Sequence, residues 1–342
     1  MKIRRRGMPL VASGLALALA ALAVPTMSAQ ATTKVTTVHL LEASGFDFSD
    51  ADIYQAVRIL HQENINLQIS QISDPATALR ALVANQGDLY MDAPDTVALA
   101  VEGGATNVRY IDTMYRTSAY VILALPKYNL KNLAGATLAI ASPGSAGVVA
   151  AVAALTKLGI DTSKIQQVTV GGTSARVAAI LAGEVDLAPA LAPAAIPAVA
   201  TGKVKILVNT GKVLGNFIQQ VLIANTHFTA EKKTAQAVVN AFIKADQWSS
   251  VNETGYIALA NANQLQGSLT STEEQMAWKQ LKVAGFWAQR GAMCESGIQS
   301  TLNYDYQSGA LTRSTMPKES AWIDKEFVQA YLKAHKLPAS TC

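Results

Sequence analysis

The stretch TLAIASPGSAGVVAAVAALTKLG, residues 137–159, reads as a strand that runs through a serine-bracketed Pro-Gly turn into an apolar helix. An altered version occurs earlier. Residues 35–41 read as a strand, Ala43-Ser44 closes it, and Ile53, Ala56, Val57 and Leu60 recur at helical spacing. Ala43-Ser44 and Ala141-Ser142 stand 98 positions apart, and so do Asp88-Leu89 and Asp186-Leu187. One offset shared by strand, helix and strand predicts two lobes of like topology.

Outward from these passages the chain alternates strand and helix. Residues 67–72 form a strand, Asp74-Pro75 opens a helix over 76–85 as N-cap and first-turn proline, and 89–91 is a short strand. Residues 109–114 and 120–125 are extended. In the second passage 167–170, 175–182 and 185–188 read as strand, helix and strand, followed by strands at 204–209 and 219–224. From Ala230 onward the chain is mainly helical, with Trp248, Trp278 and Trp287 as packing residues of amphipathic stretches. Such alternation makes mostly parallel sheets, whose ligands sit beyond the carboxyl ends of the strands. The expected architecture is α/β, with two Rossmann-like lobes joined by two hinge strands at 120–125 and 219–224. Residues 32–120 plus 222–342 form the first lobe and 121–221 the second.

The first thirty residues bear on the compartment. Lys2, Arg4, Arg5 and Arg6 precede an apolar run over 10–24, which is too short to span a bilayer comfortably, and Ala29-Gln30-Ala31 follows as a small-x-small cleavage site. A signal peptide over 1–31 is expected, with the mature, periplasmic chain beginning at Thr32. No cysteine stands near the site, so a lipoprotein anchor is not expected. The 28 Lys and Arg exceed the 24 Asp and Glu only because the leader holds four bases and no acid. With no basic run left, a nucleic-acid partner has no support. Half the residues are hydrophobic and 15% charged, material for large cores, and about 310 mature residues suit two of them. Cys294 and Cys342 make an even pair for a disulfide in an oxidising compartment. The bond would close a loop of about 49 residues and contribute about 4 kcal/mol in the chain-entropy model.

Several further motifs carry a family resemblance. Asp74-Pro75 through Asn85-Gln86-Gly87-Asp88-Leu89, Asn132-Leu133-Ala134-Gly135, Ile140 to Ser145, Gly171-Gly172-Thr173-Ser174-Ala175-Arg176 and Ala182-Gly183-Glu184-Val185-Asp186 follow in order. In this the chain resembles the sulfonate, nitrate and thiamine-precursor group of ABC-importer substrate-binding proteins, over nearly its whole mature length. The resemblance implies a type II periplasmic-binding fold that closes on its ligand by hinge motion. It also implies an ABC permease as partner, and a monomer is expected.

Candidate site residues follow from strand ends. Ser142, Gly144 and Ser145 offer backbone N–H and hydroxyl donors where a strand opens into a helix, suited to an anion or carbonyl, or to ordinary capping. Ser44, Gly45, Phe46 and Phe48 form the equivalent loop of the first lobe, and the rings either stack on a planar ligand or plug the gap under the next helix. Asp92 and Ala93 end another strand; Asp92 would favour an amine, amidine or hydroxyl, or cap the next helix. Thr173 follows two glycines at a helix start. Arg116, beside a presumed hinge, would neutralise a bound anion, whereas Arg176 reads as part of a solvated helix face. The expected ligand is thus a small organic molecule bearing a sulfonate or carboxylate. His39, His61, His227 and His335 are scattered and form no metal-binding pair, and residues 144–147 are not a nucleophile elbow. No cofactor, metal or catalytic residue is expected. A ligand sensor is the alternative, and an enzyme of the thiamine-pyrimidine type a more distant one.

Overall fold

The computed structural model describes residues 35–338 except 44, 73, 310 and 312–316. The expected leader, Ser44 and Cys342 lie outside the described residues.

Strand β1 (Thr36–Glu42) lies between β2 (Ile65–Gln71) and β3 (Leu89–Asp92), parallel to both. On the far side of β3, β10 (Gln220–Asn225) runs antiparallel and is followed by β4 (Val108–Tyr115). The second sheet repeats this plan with β7 (Gln166–Thr169), β6 (Thr137–Ile140), β8 (Leu187–Leu191), β5 (Tyr120–Ala124) and β9 (Lys205–Asn209) in that order. Again three parallel strands are followed by two antiparallel pairings. In each sheet the fourth strand is the first one laid down after the chain crosses from the other sheet.

The offset of 98 survives as hydrogen bonds. Leu40 pairs with Leu89 in the first sheet and Leu138 with Leu187 in the second. Asp88 accepts from His39 N at 2.8 Å, and Asp186 accepts from Thr137 N at 2.9 Å. Both aspartate N–H groups return a bond to the same partner's carbonyl. The shared residues are therefore a strand register and the carboxylate that fixes it.

The two crossings are residues 116–119 and 215–219, so the segments expected to be hinge strands are ordinary members of the two sheets. The first crossing is bonded to the second, because Ala119 N donates to Gln219 Oε1 at 2.7 Å and Gln219 N donates to Tyr115 O at 2.8 Å. Thr210 binds Ser118 through their hydroxyls at 2.7 Å. A Cβ on Gly211 would lie 2.4 Å from Ser118 O, so only glycine permits that approach.

Helix Ala146–Lys157 is buried at every position from Gly147 to Leu155. A helix apolar on all sides needs cover on all sides. One face meets the second sheet, and helix Glu295–Ser308 covers another, with Tyr304 in the second-lobe core and its hydroxyl donating to Leu214 O at 3.0 Å. The C-terminal part of the chain thus packs on both sheets and is not confined to the first. Trp278 and Trp287 are core residues, as expected for tryptophans on amphipathic stretches, and Trp248 packs partly buried against the same core, which Trp322 also joins. Cys294, which caps helix Glu295–Ser308, is disulfide-bonded.

If the Asp88 and Asp186 contacts are one repeated fastening, Asp88→Ala and Asp186→Ala should each lower unfolding free energy by about 1 to 3 kcal/mol. The two losses should add in the double variant, since the sites lie in different sheets. Denaturation in urea measures this. A loss confined to one variant would contradict the equivalence.

Candidate functional site

The carboxyl ends of β1 and β3 deliver Glu42 and Asp92 to the same edge of the first sheet, next to both crossings. Facing them are Tyr120 at the start of β5, Leu191 at the end of β8 and Ala146 at the start of its helix. Together with Phe46, Asp50, Tyr115 and Gln219 these residues line a cavity of about 100 Å³ at the junction of the sheets. Past Asp92 and Ala146, which line both, lies a second cavity of about 530 Å³ walled by Ser142 to Ser145 and by Asp95 and Thr96. The two volumes together reach the range of a small-molecule site. A third, largely apolar groove of about 430 Å³ lies between Asp47 and Phe48 on one side and Thr173, Val177 and Pro197 on the other, closed by Leu265 to Leu269.

Acids dominate the first-lobe wall. Asp47 and Asp50 form a capping box, in which Asp50 Oδ2 accepts from Asp47 N at 2.8 Å and Asp47 Oδ1 from Ser49 N at 2.8 Å. The Tyr115 hydroxyl lies 3.0 Å from Asp50 Oδ1 and 3.1 Å from Asp52 Oδ1. Asp92 accepts from the Tyr90 hydroxyl at 2.7 Å and from Ala93 N at 2.8 Å, so it supports the following helix and lines the cavity at once. Burial, and then repulsion by Asp47, Asp52 and Glu42, holds the Asp50 carboxyl well above the usual range. Burial likewise raises Asp92. Tyr120 is pushed up to about 12 by burial, against the attraction of Arg176.

Neither arginine takes its expected role. Arg116 Nε donates to Gly285 O at 2.8 Å, and the side chain lines a separate cavity with Thr117, Gly215 and Cys294. It is not beside the Ser142–Ser145 turn, because the crossing carries it to the face covered by residues 284–297. Arg176 is 4% exposed, not solvated. It donates to Pro189 O, Gly171 O and Thr173 Oγ1 at 2.7 to 3.1 Å, bracing the start of its own helix. Burial lowers its pKa.

Of the two aromatic rings, Phe48 is 1% exposed, packs edge-on against Tyr256 at 5.5 Å and borders the apolar groove. Phe46 lines the central cavity with Gly45. Asp92 meets Ala93, Ser142, Gly144 and Ser145 in the second cavity, where the Ser145 hydroxyl donates back to Ser142 O. Thr173 stands apart in the apolar groove. Glu42, Asp50, Tyr115, Tyr120 and Gln219 escaped the sequence reading; the one signal for any of them was an acid, Glu42, ending an apolar strand. Among the described residues no His, Cys, Asp or Glu group is arranged to hold a metal, and no helix is long and apolar enough to cross a membrane.

The NMT1/THI5 like family model matches residues 60–252, more than half of the chain. No curated protein matches the sequence. Among solved structures, the alkanesulfonate-binding protein SsuA from Xanthomonas axonopodis pv. citri bound to MOPS is 18% identical with a TM-score of 0.68, covering 85% of this chain and 100% of that one. The periplasmic nitrate-binding protein NrtA from Synechocystis PCC 6803 is 14% identical with a TM-score of 0.70, covering 90% and 92%. The desulfurization enzyme DSZB is 14% identical with a TM-score of 0.61, covering 88% and 99%. At these identities the likeness is one of fold: the two-lobed periplasmic-binding-protein fold, which carries binding proteins and an enzyme alike.

The buried acids set a pH dependence. Burial pushes Asp52 up to about 7, and burial with repulsion from Asp52 and Asp112 holds Asp246 well above its ordinary value. The folded chain then keeps protons that the unfolded chain releases near pH 4, so stability present at low pH is lost as pH rises toward and past 7. Replacing Asp52 by Asn should flatten this fall between pH 5 and 8 by an amount on the order of a few kcal/mol. Melting temperatures of both proteins across that range measure it, and parallel curves would contradict the assignment.

Proposed function

The chain belongs to the NMT1/THI5 like family, and from that membership we propose that it is the periplasmic solute-binding component of an ABC importer, taking a small organic molecule between its two lobes. One observation carries the reading. The cavity beside the crossings is walled by both sheets, with Glu42, Asp50 and Asp92 on one side and Tyr120, Ala146 and Leu191 on the other. A molecule that touches both walls favours whichever arrangement brings them together, which is how occupancy becomes a signal to a permease. The lobes in this reading are 32–120 with 222–342, and 121–221, with Tyr304 reaching across.

Export is supported by the charged and apolar leader ending at Ala31, and by the disulfide at Cys294, whose partner in this reading is Cys342. Binding rather than turnover is supported by the likeness to the alkanesulfonate-binding and nitrate-binding proteins. The sulfonate or carboxylate expected of the ligand rested on the donors of the Ser142–Ser145 turn, which lines the second cavity, and on Arg116, whose side chain faces another cavity.

A thermal-shift screen over small anions, amines, carboxylates and pyrimidines tests the reading. A true solute should raise the melting temperature through about 2.7 kcal/mol of added stability at a hundredfold excess over its dissociation constant. Asp92→Asn should reduce the shift while the solute is recovered unchanged. Chemical conversion of the compound, or no shift across the whole screen, would overturn it.

A further inference from the structure

The central cavity contains a donor that the protein does not use. Gln219 is 8% exposed, and its Oε1 accepts from Ala119 N at 2.7 Å. Only the oxygen of a carboxamide can accept, so that bond fixes the side chain and leaves the Nε2 amino group toward the cavity that Gln219 lines. Among the described residues it has no partner. The Tyr120 hydroxyl, on the opposite wall, likewise has none. Donors without a protein acceptor on a cavity wall are free to give their hydrogen bonds to a bound molecule that can accept them.

Every charged group on the same cavity is an acid: Glu42 and Asp50, 2% and 8% exposed, and Asp92. An anion placed there would meet three carboxylates in a poorly screened space. Neither arginine offsets them, since Arg116 lines another cavity and Arg176 spends Nε, Nη1 and Nη2 on Pro189, Gly171 and Thr173.

We propose that this cavity receives the head of a nitrogen base, a protonated amine or amidinium whose N–H groups face Asp50 and Asp92, with an acceptor beside the nitrogen that takes the free N–H of Gln219. The inference rests on the reading that the cleft binds a solute, and it names the class. The head is small, because about 100 Å³ admits only a few heavy atoms, and the body extends past Asp92 into the larger cavity of about 530 Å³.

Titration calorimetry with three probes tests this. Glycinamide has an amine and a neighbouring carbonyl, benzamidine an amidinium with no acceptor, and ethanesulfonate an anion. The wild type should bind the two cations and not ethanesulfonate, and Asp92→Asn should weaken both cations tenfold or more. Gln219→Glu keeps an oxygen for Ala119 N but replaces the amino group with a second oxygen. It should therefore weaken glycinamide at least fivefold and leave benzamidine as tight or tighter. Melting temperatures of the unliganded variants show whether they fold, and the wild-type comparison needs no variant. Binding of ethanesulfonate but neither cation overturns the inference and leaves the cleft reading standing. Binding of no probe overturns the inference as well, and the broad screen then decides separately whether the cleft takes any solute. Equal weakening of both cations by Gln219→Glu overturns the role of its amide.

Discussion

One hydroxyl ties the cleft floor, the crossing and the core together. Tyr115 is the last residue of β4 before the chain leaves the first sheet, and its hydroxyl lies between Asp50, which lines the central cavity, and Asp52, which is 0% exposed. Its ring stacks on Phe286 at 4.1 Å, and Phe286 O accepts from Arg116 N one residue further along. The position of the acidic wall is therefore set by the same residue that starts the crossing. Burial raises Asp52 to about 7 and, with repulsion from Asp52, raises Asp246 as well, which lessens the negative charge packed beside that hydroxyl.

The second constraint is the shortage of polar cover in the second lobe. Its principal helix, Ala146–Lys157, is apolar on all sides, so the chain must return to cover it, and Tyr304 and Phe217 do so. At its N-terminal end the same helix brings Gly147 against Tyr120, where a Cβ would lie 3.1 Å from the ring. That contact supports Tyr120 in its place opposite the acids. The apolar packing of one lobe and the polar wall of the other thus meet at a single tyrosine.

Much of the fold was legible because it repeats. An offset of 98 visible in two dipeptides returns as Leu40 with Leu89 and Leu138 with Leu187, and as two aspartates bonded to equivalent strand residues. Asp74 and Pro75 open their helix as read, with Asp74 accepting from Thr77 N. The site was less legible because its polarity is decided by distant partners. Arg176 is buried by the carbonyls of Pro189 and Gly171, and Arg116 is turned away by Gly285, 169 positions along the chain. Gln219 looked like the first residue of a strand. Only the bond from Ala119, 100 positions away, makes it a fixed donor.

A crystal structure of the protein with the tightest solute from the screen shows where that solute sits. It should touch both walls at the crossings, within hydrogen-bond distance of Asp92 and Gln219 and in contact with Tyr120. A solute held in the apolar groove beside Thr173, or touching residues of one sheet alone, would contradict that placement.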